Sequence, residues 1–406
     1  MRVDLLTREF PPHVYGGAGV HVEELSKVLA EHVDVHVHAF DGPRTDNPSV
    51  SGYSNLSELK DANPALQSLG VDLQMAAGAT GADLVHSHTW YANMAGHWAS
   101  LLHGVPHVIS AHSLEPLRPW KAEQLGGGYQ VSLWAEKTAY LGAAGIIAVS
   151  NGMRDDILRC YPEIDPAKVH VVHNGIDLES WLPDHSEAGQ AHAAATLERL
   201  GIKAGIPTVV FVGRITRQKG LPYLLRALHE LPPQVQIILC AGAPDTEEIM
   251  REVVGLVDQL REERGQVIWV EDMLPRRDLV AVLDNSTVFV TPSVYEPLGI
   301  VNLEAMAVSL PVVGTATGGI PDVIVDGETG VLVPIEQAQD GTGTPLDPDK
   351  FVADLAAGIN RVLADPQLAK QMGESGRRRV EEHFSWASIA ERTVAVYETV
   401  LAEYNK

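Results

Sequence analysis

Ser293-Val294-Tyr295-Glu296-Pro297-Leu298-Gly299-Ile300-Val301-Asn302-Leu303-Glu304 follows a β-rich run, Thr287 to Thr291, and opens a helical pattern. Proline suits the first helical position, where its missing N–H is not needed, so a helix is expected from Pro297. That start leaves the N–H groups of Leu298, Gly299 and Ile300 without intrahelical partners. They form a place for an anion, helped by the positive end of the helix dipole. Gly299 lets a ligand approach the backbone closely. Glu296 and Glu304 then lie on the order of 12 Å apart along the axis, at about 1.5 Å of rise per residue. A nucleotide sugar has that layout: sugar hydroxyls, a diphosphate, ribose hydroxyls. Two glutamates so spaced also suit a plain solvated helix, and the rest of the chain decides between the two.

Short apolar runs alternate with helical patterns on either side of this stretch. Strands are expected at Val3–Leu6, Val35–Phe40, Leu84–His86, His107–Ser110, Ile146–Val149 and Val169–Val172. A second series follows at Val209–Val212, Gln236–Cys240, Val267–Val270, Val288–Thr291, Val312–Val313 and Val331–Val333. Val22, Leu25 and Leu29 share one helical face, and Tyr223–Leu231 and Ile249–Arg264 read as further helices. Strand–helix alternation gives βαβ units and open parallel sheets. The fold class is therefore α/β, with two doubly wound Rossmann-like domains of similar size. Ligands of such sheets bind beyond the carboxyl ends of the strands, and the remaining motifs cluster there.

After the first strand comes Phe10-Pro11-Pro12-His13-Val14-Tyr15-Gly16-Gly17-Ala18-Gly19. It lacks the third glycine of a dinucleotide fingerprint, so a tight turn and a phosphate-contacting loop both fit. His88 and His112 end two strands, and His112 has the more polar setting facing the expected crevice. Gly213-Arg214-Ile215-Thr216-Arg217-Gln218-Lys219-Gly220 ends the first strand of the second series. Arg214 and Lys219, five apart on one loop, suit phosphate oxygens and could replace a divalent cation at a diphosphate. Thr315-Ala316-Thr317-Gly318-Gly319-Ile320-Pro321 is another glycine-rich turn, and residues 335–348 look like a flexible insertion without chemistry. There is no H-E-x-x-H, no repeated C-x-x-C and no Asp-x-Asp pair of the kind that holds a metal against a nucleotide diphosphate. No metal and no separate cofactor are expected.

The chain has 406 residues, 30 Lys+Arg against 53 Asp+Glu, and a net charge of −23. That balance argues against nucleic acid or an anionic membrane as partner. Any anionic ligand must find a local positive site inside an acidic protein. Cys160 and Cys240 show no ligand spacing and read as buried structural thiols. The first residues are too polar and interrupted for a signal peptide, and no run reaches the ~20 apolar residues of a membrane span. A cytoplasmic setting is expected.

In this order, Pro11-Pro12 with Gly16-Gly17, His112, Val172-His173-Asn174-Gly175-Ile176-Asp177, Gly213-Arg214 with Lys219-Gly220, Glu296 with Glu304, and Gly318-Gly319-Ile320-Pro321 resemble the retaining glycosyltransferases of the GT-B fold. Thr7-Arg8-Glu9-Phe10, His86-Ser87-His88-Thr89-Trp90 and the run Ser113 to Tyr129 look like the actinobacterial glycogen synthase / α-maltose-1-phosphate synthase type. The glycogen synthases' Lys-Thr-Gly-Gly loop is Val14-Tyr15-Gly16-Gly17 here, a departure from that pattern.

The resemblance implies a donor site in the cleft between an N-terminal domain, residues 1–173, and a C-terminal nucleotide-sugar domain, residues 174–384. The last helix, 385–406, is expected to pack back on the first domain, and domain closure would exclude water. Arg214 and Lys219 would hold the diphosphate and stabilise the departing nucleotide. Glu296 would hold the donor sugar, Glu304 the ribose, and His112 the reacting centre. Gly16, Gly17, Gly299 and Ile300 would supply backbone contacts to the donor. Arg118 and Lys121 are candidates for the phosphate of an acceptor. The implied reaction moves glucose from ADP-glucose to α-glucose 1-phosphate or an α-1,4-glucan end, in α-glucan synthesis, with a homodimer as a family-level expectation. Another nucleotide-sugar transfer of the mycothiol type, or a catalytically silent sugar- or nucleotide-binding relative, remains the alternative.

Overall fold

The computed structural model describes residues 1–14, 16–44, 47–338 and 340–404, without the side chains of residues 123 and 124. Tyr15 of the first glycine loop and residues 405–406 of the expected last helix lie outside the described residues. The chain divides into two compact units. One is Met1–Gly175 together with the segment from Trp386 on; the other is Ile176–Ser385. The joins fall at 175/176 and 385/386, against the 173/174 and 384/385 expected from the sequence.

Among the described residues the first unit holds seven strands: β1 (Arg2–Thr7), β2 (Asp34–Phe40), β3 (Val50–Tyr53), β4 (Leu84–His88), β5 (His107–Ala111), β6 (Gly145–Ala148) and β7 (Val169–Val171). All pair in parallel, in the order β3-β2-β1-β4-β5-β6-β7. Successive side chains of a strand point to opposite faces. Leu5 joins a core with Val22, Leu25 and Leu29, while Leu6 joins a second core with Val71, Met75 and Ala92. Both faces are therefore covered by helices, as an all-parallel sheet requires. The sequence reading missed β3, a four-residue edge strand whose Ser51 and Gly52 carry no apolar signal.

The helix Trp386–Tyr404 begins directly after Ser385 and covers the same face as the helix Gly17–Leu29. Its Val400 presses on Gly145, where a Cβ would lie 2.6 Å from a Val400 methyl. Its buried Tyr397 joins His86 Nδ1 through its hydroxyl at 2.6 Å.

The second unit holds β8 (Thr208–Arg214), β9 (Gln236–Gly242), β10 (Val267–Val270), β11 (Val288–Thr291), β12 (Val312–Thr315) and β13 (Gly330–Val333). They are parallel in the order β10-β9-β8-β11-β12-β13. Strand order reverses beside β8, so the ends of β8 and β11 flank a switch point of the kind where ligands bind. One core joins the sheet to its helices through Phe211, Leu224, Val253, Leu355 and Ile359. Cys160 and Cys240 are free thiols, half-buried and pushed up to about 11 and about 12 by burial. Among the described residues no helix is long and apolar enough to cross a membrane.

Candidate active site

In the second unit the loop after β11 departs from expectation at one point. Its helix starts at Ile300, not at Pro297, and runs to Ala307. Gly299 sets the boundary: its φ of 88° belongs to the left-handed region, where a side chain is strained. A Cβ there would also lie 2.6 Å from Asn302 Nδ2. Asn302 is fully buried, accepts a hydrogen bond from Thr291 Oγ1, and returns its N–H to Gly299 O at 2.9 Å. Glu296 and Glu304 thus do not share one helix, and the axial spacing expected for them does not apply. The N–H groups of Leu298, Gly299 and Ile300 meet no acceptor among the described residues. They stay available to an anion.

Glu296 is buried, and its Oε2 accepts from Lys219 Nζ at 2.7 Å and Ser293 Oγ at 3.1 Å. Lys219 comes from the loop after β8, where Thr216 Oγ1 caps its N–H. Gly220 lets this loop pass β11, since a Cβ would sit 2.0 Å from Pro292 O. The same loop and two further segments brace the Glu296 turn. Gly319 N–H donates to its carbonyl at 2.8 Å, and Gly318, at φ 55°, passes so close that a Cβ would lie 2.0 Å from that same oxygen. Val294 N–H donates to Gln218 O at 2.9 Å. Gln337 Nε2 donates to Val294 O at 2.6 Å and Gly343 O at 2.7 Å, while Thr317 donates to its Oε1. The segment read as a flexible insertion is therefore tied to the site loop. Its Gly and Asp residues close a turn, with an antiparallel bridge between Gln337 and Pro345.

Arg214 ends β8 half-exposed, and its guanidinium meets Asp245 at 3.1 Å. Glu304 lies in the second turn of its helix, partly exposed as a residue. Burial of its carboxyl pushes it up to about 7, against the opposing pull of Arg276 and Lys219. Lys219 thus acts on both glutamates.

In the first unit Gly16 N–H is taken by Glu9 Oε2 at 2.7 Å, and Gly17 opens the helix Gly17–Leu29. Glu9 occupies the place where an anion would sit at this helix start. His112 follows β5, part-buried, with Nε2 3.0 Å from His88 Nδ1. Its ring stands edge-on to His21, with centroids 4.7 Å apart. Burial lowers His112 to about 4 and holds His21 and His88 well below the ordinary imidazole value. All three are neutral at pH 7, so His112 can offer an uncharged N–H or a lone pair. One ring nitrogen from each of these three lies within 4.8 Å of the others, the grouping among the described residues whose donors suit a transition-metal ion.

Lys121 points into the interior. Its Nζ donates to buried Glu115 at 2.8 Å, Ser132 Oγ donates to the other Glu115 oxygen at 2.7 Å, and Tyr129 donates to the Glu115 carbonyl. Glu136 adjoins the group, held well above the usual carboxylate range by burial and by Glu115. This charge is matched from within. Arg118 stays part-buried, reaches Ser113 Oγ at 3.3 Å, and keeps an unpartnered Nε.

Sequence reasoning passed over Asn302, Gln337, Asp245 and Glu9. Asn302 carries the one legible signal, an amide inside a helix, where such residues fit poorly unless anchored. The others are ordinary polar residues whose roles arise from contacts distant in the chain.

Residues 15–180 match the family described as Glycosyltransferase Family 4, and residues 195–379 match Glycosyl transferases group 1. The chain is 53% identical over 402 residues to the alpha-maltose-1-phosphate synthase of Mycolicibacterium smegmatis, covering 99% of this chain and 100% of that one. It is 52% identical to the protein of the same name from Mycobacterium tuberculosis, with the same coverage. Among solved structures it resembles sucrose-phosphate synthase from Thermosynechococcus elongatus, with a TM-score of 0.79, 24% identity and 99% of each chain covered.

Proposed function

Because the chain belongs to the family 4 / group 1 glycosyltransferases of GT-B fold, we propose that it moves glucose from ADP-glucose to α-glucose 1-phosphate, forming α-maltose 1-phosphate, and to the non-reducing end of α-1,4-glucans. The observation that carries this reading is the loop Glu296–Ile300. It joins a buried carboxylate held by Lys219 to N–H groups with no acceptor among the described residues. The names of the relatives at 52–53% identity support the phosphorylated product.

Lys219 and Arg214 hold the diphosphate, with the N–H groups of Gly299 and Ile300. Their positive charge stabilises the nucleoside diphosphate as negative charge gathers on it. Glu296 accepts from donor sugar hydroxyls and Glu304 from the ribose. Neutral His112 hydrogen-bonds the transferred sugar. The acceptor hydroxyl oxygen bonds to the anomeric carbon on the face from which the diphosphate oxygen leaves. The hydroxyl proton passes to that departing oxygen, and configuration is retained. Glu296 is a poor nucleophile for a double displacement, since its carboxylate is engaged by Lys219 and Ser293. No metal takes part, because the side-chain cations do that work.

The test is release of nucleoside diphosphate from ADP-glucose and UDP-glucose, each offered glucose 1-phosphate or glycogen without added metal, with the product identified. Fastest release from ADP-glucose with glucose 1-phosphate is expected. Turnover on glycogen alone would refute the phosphorylated acceptor, and no turnover with either donor would refute the reading entirely.

A further inference from the structure

Arg8 is one of the cations of the first unit that no carboxylate neutralises among the described residues. Arg2 pairs with Asp4 and Lys121 with Glu115, and Arg44 donates to the carbonyls of Phe10, Pro11 and Phe40. Arg8 meets no carboxylate and no hydrogen-bond acceptor among the described residues. Its guanidinium carbon lies over the Tyr91 ring, 4.1 Å from the centroid, with the Phe40 ring 6.0 Å away. Contact with the ring leaves its N–H fork without an acceptor.

That fork lines a cavity of about 330 Å³, walled also by Asp41, Tyr53, Asn55 and Gln67. The cavity sits beyond the carboxyl ends of β1, β2 and β3, the edge where parallel sheets bind ligands. Register places the β1 edge of the cavity on the same end of the sheet as His112: Thr7 pairs with His88, and His88 with Ser110. β1 and β5 are two strands apart, so their ends stand roughly 10 Å from each other at ~4.8 Å per strand.

We infer that this cavity is the acceptor subsite for a sugar phosphate, with Arg8 holding the phosphate. The wall chemistry selects that class. One open cation suits one phosphate, and the exposed Asn55 amide and the carbonyl oxygen of Gln67 suit the hydroxyls of a sugar ring. The polar walls exclude an apolar ligand. Arg8 also replaces Lys121, whose charge is neutralised by Glu115. The inference rests on the proposed transfer to a phosphorylated acceptor, and it adds the residue that distinguishes that acceptor from neutral glucan.

Titration calorimetry on the full chain tests it, with α-glucose 1-phosphate, inorganic phosphate and maltose as probes. Arg8→Gln should weaken glucose 1-phosphate about 10- to 100-fold relative to maltose, the range for loss of a charged hydrogen bond. Inorganic phosphate should compete with glucose 1-phosphate in the wild type. Asn55 is exposed, so Asn55→Asp tests the cavity without threatening the fold. It should weaken glucose 1-phosphate about fivefold by repulsion across the cavity. An unchanged ratio of glucose 1-phosphate to maltose affinity in both variants would overturn the inference. Arg8-dependent binding of glucose 1-phosphate without transfer from either nucleotide sugar would uphold it and refute the proposed reaction instead.

Discussion

Glu304 gives the sharpest pH prediction. Its carboxyl sits at about 7, against an ordinary 4.5, because burial disfavours the charged form more than Arg276 and Lys219 favour it. The difference corresponds to about 3 kcal/mol of preference for the neutral acid. The sign follows from proton binding. Between pH 4.5 and about 7 the folded chain holds a proton that the unfolded chain has released, so stability falls as pH rises through that window. The cost is complete above about pH 7 and absent below 4.5. In the proposed reaction Glu304 accepts from both ribose hydroxyls, which needs the ionised form. About a tenth of it is ionised at pH 6 and about nine-tenths at pH 8. The KM for ADP-glucose should therefore fall about tenfold from pH 6 to pH 8. The donor diphosphate, esterified at both ends, keeps both of its charges unchanged over this range. Initial-rate kinetics at half-unit steps would measure the trend in the wild type and in Glu304→Gln. The variant should show a raised KM that no longer responds to pH, and it should melt higher than the wild type at pH 8. A flat wild-type profile, or an equal slope in the variant, would refute the reasoning.

Lys219→Met should lower kcat by at least about 100-fold, since charge on the departing diphosphate loses a principal partner. It should also lower the melting temperature, because Glu296 is left buried with only Ser293; Lys219→Met combined with Glu296→Gln should recover the melting temperature but not the activity. Gly318→Ala forces a side chain into a left-handed backbone, at about 1–2 kcal/mol, and against the Glu296 carbonyl. It should cut kcat/KM more than tenfold by shifting Glu296, and wild-type kinetics would show that the turn does not position it. Gln337→Ala should lower kcat/KM with a smaller change in melting temperature, as measured by parallel kinetics and calorimetry, because it frees the Val294 carbonyl rather than the core.

The doubly wound sheets were legible because their signal is local. Leu5 and Leu6 are consecutive apolar residues that enter opposite cores, which an unbroken Val/Leu run states in the sequence itself. β3 was not legible, since Ser51 and Gly52 on an edge strand look like loop. The site followed the same division. Lys219, Glu296 and Gly299 could be named from residue type at a strand end. The helix start could not, because Pro297 and Gly299 are both good boundary residues, and the choice was made by buried Asn302 and Thr291. Lys121 misled for a related reason: a basic residue in a loop reads as solvent-facing until Glu115 and Ser132 are seen folded beneath it.

The net charge of −23 has a counterpart inside the candidate site. Lys219 meets Glu296, Arg214 meets Asp245, and the N–H of Gly16 meets Glu9. Three of the groups assigned to the donor thus already face a carboxylate of the chain. Phosphate oxygens must then share or displace those carboxylates, so binding exchanges one anion for another rather than filling bare positive charge. Such an exchange weakens the attraction for stray anions, each of which would have to displace a carboxylate fixed in place. It rewards a ligand that also supplies hydroxyls, because Glu296 and Glu304 keep acceptor sites for them while Lys219 turns to phosphate. For the proposed donor, selectivity for a nucleotide sugar over a free diphosphate would then reside in the carboxylates as much as in the cations.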